Sequence, residues 1–76
     1  MNNDRRKRID AVKEKLNDLI SEIETLYDEE EEYRDNIPEN MQGGDRYQMA
    51  EAAADNLQSA IDSAEEAVEY LESATE

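Results

Sequence analysis

Ile9–Tyr27, IDAVKEKLNDLISEIETLY, decides the fold. Its apolar residues recur in alternating steps of three and four: Ile9, Val12, Leu16, Leu19, Ile23 and Leu26. Residues at this seven-residue repeat share one side of an α-helix and make a seam for a second helix. Ile20 and Tyr27 widen the stripe on one side, and the spacing continues through Glu30, its one charged interruption, to Tyr33 and Ile37. The same steps return downstream as Tyr47, Ala50, Ala54, Leu57, Ile61, Ala64, Val68 and Leu71. No period-two alternation competes with them. The pattern predicts an all-α chain, an antiparallel, coiled-coil-like two-helix hairpin forming a single domain over residues 1–76. The helices are expected over about residues 4–35 and 45–74, with the turn at about 36–44, and each is roughly 45 Å long.

The turn is read from its own residues. Pro38 biases Ile37 away from helical backbone, which ends the first helix near Asp35 or Asn36. Pro38 to Met41 has room for one short turn. Gly43 and Gly44, the only glycines, supply a place where positive φ is free of steric cost. Asp45 followed by Gln48 fits a capping box, with the second helix starting at Arg46.

Two helices do not enclose a core, and ordering their backbone costs about 1–2 kcal/mol per residue. The first helix carries more large apolar groups than the second can cover. A homodimeric four-helix bundle is the expected remedy, with Leu16, Leu19, Ile20, Ile23, Leu26, Ala53, Ala60 and Ala67 at the oligomer interface. Ala53, Ala60, Ala67 and Ala74 recur every seventh residue beside the second stripe, which suits close helix approach as well as simple helix propensity.

Charge is unevenly distributed. The chain has 22 Asp+Glu against 8 Lys+Arg, a net charge of −14. Arg5, Arg6, Lys7, Arg8, Lys13 and Lys15 crowd the first fifteen positions, and only Arg34 and Arg46 follow. Both ends of the first helix thereby oppose its dipole. Ion pairing with Glu65, Glu66, Glu69, Glu72 and Glu76 across the hairpin is the expected relief for the basic end. The run Asp28, Glu29, Glu30, Glu31 and Glu32 has no comparable local relief. It reads either as a solvated helix end or as an acidic tip offered to a partner.

Composition removes several classes. With no His and no Cys, neither a disulfide framework, a usual zinc site nor an ordinary near-neutral base is available. A calcium loop begun at Asp28 would need Gly where Tyr33 stands. No enzyme activity, catalytic residue, cofactor or metal is expected. The sequence has no apolar span of 18 residues, and MNNDRRKR leads into no apolar stretch, so neither a membrane segment nor a secretion signal is expected.

The stretch Tyr33-Arg34-Asp35-Asn36-Ile37-Pro38-Glu39-Asn40-Met41-Gln42-Gly43, with Arg46-Tyr47 and the Ala- and Glu-rich segment after it, resembles a group of small acidic helical proteins of phages and mobile elements of Gram-positive bacteria. The resemblance covers about residues 30–75 and carries no activity onto any residue. It implies a setting in the cytoplasm of a bacterial host, among inhibitors of host systems that include anti-CRISPR and other counter-defence proteins.

Two functions are therefore expected in competition. One is an acidic binding module that occupies the basic, nucleic-acid-binding surface of a host defence protein such as a CRISPR effector, without binding nucleic acid itself. Duplex DNA carries one charge per about 1.7 Å of axis. The segment after Leu16 has net charge −17, one per about 2.6 Å over a hairpin of about 45 Å. The other is a self-assembling structural bundle whose acidity serves solubility alone.

Overall fold

The computed structural model describes residues 1–76 and contains two long helices, α1 (Asn3–Asp35) and α2 (Asp45–Ala74). A short 3-10 turn at Glu39–Met41 lies between them. The helices run antiparallel, and the Cα trace measures 60 × 14 × 12 Å. The observed bounds fall within one residue of those expected from the sequence.

Local chemistry explains each end. The Asn2 side chain accepts the Arg5 backbone N–H at 2.7 Å, satisfying one of the donors that the first turn leaves free. At the other end Asn36 N–H reaches Glu32 O at 3.0 Å and Ile37 N–H reaches Arg34 O at 3.1 Å, after which Pro38 stops the helix. Ile37 is buried beneath the turn. The backbone then closes through Met41 N–H to Pro38 O at 2.8 Å.

The start of α2 departs from the capping-box expectation. Gly44, extended at φ −86° and ψ 171°, occupies the cap position, and no side chain caps the helix. Asp45 is already helical, so its carboxylate cannot serve the cap, and Gln48 N–H bonds Gly44 O at 3.2 Å. Neither glycine adopts a positive φ. The turn is built without left-handed backbone.

The core sits on one side of α1 only. Ile20, Ile61 and Val68 form its centre, with Leu16, Ile23, Tyr27 and Ala64 packed against it. Near the turn Ala50 and Ala54 are each 2% exposed, which lets the α1 backbone approach closely. Ile20 and Tyr27 therefore belong to the inward seam rather than to its margin. Val12, Leu19, Leu26 and Tyr33 lie outside it, at 52%, 52%, 51% and 41% exposure. With one partner helix, only one flank of the wide stripe can be covered. The covered flank includes Lys13 and Arg34, whose side chains keep 26% and 21% exposure by running their aliphatic stems along the seam.

Candidate functional site

The run Asp28–Glu32 forms a collar around α1, because five consecutive helical residues turn through more than a full circle. Asp28, Glu29 and Glu32 are exposed, whereas Glu30 and Glu31 are half-buried toward α2. The run also has a local cation, contrary to the sequence expectation. Arg34 Nη2 lies 3.4 Å from Glu31 Oε2, and its Nε donates to Asp35 Oδ1 at 3.2 Å. A basic residue in the last turn answers the negative end of the helix dipole. The Asp35 carboxylate holds the Arg34 guanidinium even more firmly protonated than usual. Glu31 pushes the Tyr27 hydroxyl above the ordinary tyrosine range, first as a hydrogen-bond acceptor, then with desolvation and its negative charge adding to the effect.

Arg46, the other cation after Leu16, is also engaged. Its Nε donates to Tyr33 Oη at 2.7 Å, and its Cζ stands 5.7 Å from the Tyr33 ring centroid. Both late arginines thus serve the turn end of the hairpin.

Along α2 the acids gather on the side away from Val12 and Leu19. Asp62, Glu65, Glu66 and Glu69 line a shallow groove with Tyr70 and Ser73. A second depression, between the helices, is lined by Glu24, Asp28 and Glu65 with Tyr27, Gln58 and Ile61. Among the carboxylates of α2 only Glu72 makes an ion pair, with Lys13 Nζ at 3.9 Å. No three carboxylates converge closely enough to hold a metal ion. No polar or charged residue is buried. The face is an open field of negative charge.

The opposite face has a different chemistry. Tyr33, Met49 and Ala53 share a groove there with Glu30, Arg46 and Ala50, and Val12 shares another with Arg5, Arg8, Ile9 and Leu71. On α2 this side presents Ala53, Ala60, Ala67 and Ala74, flanked every seventh residue by Met49, Asn56, Ser63 and Tyr70, a row that borders the acidic groove at Tyr70. None of these is charged, and Met49 and Tyr70 are 72% and 70% exposed. Of the residues expected at an oligomer interface, Leu19, Leu26 and Ala60 lie exposed, with half-buried Ala53 and Ala67 beside them. Ile20, Leu16 and Ile23 face α2 within the hairpin. Sequence reasoning passed over the row of Met49, Asn56, Ser63 and Tyr70. Its signal was a missing charge every seventh residue in a helix otherwise rich in carboxylates.

At the open end the basic cluster meets α2 more sparingly than expected. Arg6 Nε donates to the Thr75 carbonyl at 3.2 Å, serving the last turn of α2, and Arg8 pairs within α1 with Asp4 at 3.7 Å. Lys13–Glu72 is the one ion pair between the helices, and Glu65, Glu66, Glu69 and Glu76 make none. The reason is direction: Arg5, Arg8 and Lys15 lie on the side of Val12 and Leu19, whereas the α2 acids lie on the other. Comparison with known proteins gives no matching family model, no matching relative and no matching solved structure. No helix is long and apolar enough to cross a membrane.

Proposed function

We propose that this protein is a non-enzymatic, acidic binding module that occupies a basic, nucleic-acid-binding surface of another protein. The observation that carries the reading is the segregation of unpaired carboxylates, Asp62, Glu65, Glu66 and Glu69 with Glu24 and Asp28, onto one side of a straight rod. A solubilising charge has no need of a side, whereas a surface that competes for a phosphate-binding groove does. The rod is 60 Å long, so one chain of net charge −14 carries one charge per about 4.3 Å, and two chains side by side one per about 2.1 Å. The paired value approaches the roughly 1.7 Å of duplex DNA. With the resemblance over about residues 30–75, the partner class is a host defence protein such as a CRISPR effector, and the chain acts as its inhibitor.

The test is capture of a partner on immobilised protein from host lysate, followed by elution with duplex DNA or with salt. A retained nucleic-acid-binding protein released by both is expected. Retention that DNA does not disturb, or no retention, sinks the reading. The runner-up is a purely structural bundle, favoured by the exposed apolar row Val12, Leu19 and Leu26, and it predicts assembly without affinity for basic proteins.

A further inference from the structure

We infer that the face bearing Val12, Leu19 and Leu26 is covered by a second copy of this chain, turned end for end, so that α1 lies antiparallel on the partner's α1 and α2 on the partner's α2. This stands independently of the acidic-face function.

Three observations commit the face to that occupant. The first is size. The face runs along a rod whose Cα trace spans 60 × 14 Å, room enough for the roughly 800 Å² that each partner contributes to a stable protein interface. Leaving Val12, Leu19 and Leu26 half exposed along that length is costly in water, and α2 is already committed to the other flank of α1.

The second is charge. On this side α1 reads Arg8 and Lys15 toward its start and Glu22 and Glu29 toward its end, all four exposed and seven residues apart. An end-for-end partner brings Arg8 level with the partner's Glu29 and Lys15 level with the partner's Glu22, and symmetry repeats both pairs. Turning the partner about an axis along the rod instead would stack α1 on the partner's α2. There the flanking row Met49, Asn56, Ser63 and Tyr70 offers no charge to any of them.

The third is register. The midpoint of α1, Asn3–Asp35, is Leu19. A two-fold axis across the rod at that level overlaps α1 with the partner's α1 over its whole length. It sets Leu19 against the partner's Leu19 and Val12 against the partner's Leu26. The register that satisfies the charges therefore also matches the apolar groups of α1. Along α2 the row Ala53, Ala60 and Ala67 meets the partner's α2, and its small side chains let those helices come closer, toward the short end of the usual 8–10 Å.

The chain has no cysteine, so single thiols report the arrangement directly. Residues on the axis meet their own copies, and a disulfide needs Cβ atoms roughly 3.5–4.5 Å apart. Under mild oxidation Leu19→Cys is expected to give a covalent dimer, with helicity checked by circular dichroism. Val12→Cys alone is expected to stay uncoupled, but to couple when mixed with Leu26→Cys. Sedimentation of the parent chain at tens of micromolar should give twice the chain mass, and Leu19→Glu should weaken association at least tenfold while the chain stays helical. A monomeric parent overturns the proposal, as does a dimer in which Leu19→Cys does not couple, or one in which Val12→Cys couples to itself.

Discussion

Tyr33 Oη accepts a hydrogen bond from Arg46 Nε at 2.7 Å, tying the last turns of α1 to the first turn of α2 across the connection. The short distance and the charged donor make this stronger than a neutral contact, while its exposure to water limits its net value. Tyr33→Phe keeps the ring under the guanidinium and removes only the hydroxyl. Stability measured by urea denaturation is expected to fall by about 0.5–1.5 kcal/mol. No change would mean that water replaces the bond at no cost.

Ile61 is 4% exposed at the centre of the core, whereas Leu19 is 52% exposed. Ile61→Ala is expected to cost about 2–5 kcal/mol. Leu19→Ala should cost much less in the isolated hairpin and progressively more as protein concentration rises, because association stabilises by mass action. Melting curves across a hundredfold dilution series check this. Equal, concentration-independent losses would place both residues in the same core.

Gly43 has a negative φ, and nothing lies within 4 Å of a Cβ built on it. Alanine there narrows the unfolded ensemble without strain, so Gly43→Ala is expected to raise stability by about 0.4–1 kcal/mol. Gly44 differs, since its Cβ would stand 3.3 Å from Met41 O. Gly44→Ala should gain less than Gly43→Ala in the same thermal melts, and the reverse order would count against this geometry.

Alkaline pH should loosen the hairpin through Tyr27, whose folded hydroxyl is raised above its ordinary value of 10.0 by Glu31. Below about pH 10 the phenol is protonated in both states and its contribution is fully present. As pH rises toward the folded value, the unfolded chain ionises first, and the contribution is lost. Melting temperature should therefore fall across this window, and less steeply for Tyr27→Phe. Parallel profiles would show that the tyrosine plays no part.

Glu65, Glu66 and Glu69 line the acidic groove without ion pairs. Changing all three to Gln should slow association with a basic partner tenfold or more and reduce its salt dependence, with assembly intact. Unchanged association kinetics would assign the acids to solubility.

The helix bounds were legible because punctuation and period agreed: Pro38 and the Gly43-Gly44 pair fall where the three–four steps pause. The inward flank of α1 was not. Ile9, Leu16 and Ile23 belong equally to two overlapping seams, and Val12, Leu19 and Leu26 make the more apolar one. The covered seam instead contains Lys13 and Arg34, whose long stems pack while their charged ends reach Glu72, Glu31 and Asp35. A sequence pattern that scores charge as exposed cannot see such residues as core. For the candidate site, the acidic run drew attention by being consecutive, yet consecutive residues encircle a helix. The segregated face depended on acids spaced along α2.

Arg6 beside Thr75 also places the two chain ends together, at the opposite end of the rod from Gly43 and Gly44. The order in which the helices are joined is therefore interchangeable. A short flexible link from Glu76 to Met1, with the chain opened at the glycines, would yield a circular permutant with the same helix packing. In that permutant the acidic collar would border the new termini, while the basic cluster would lie beside the new link.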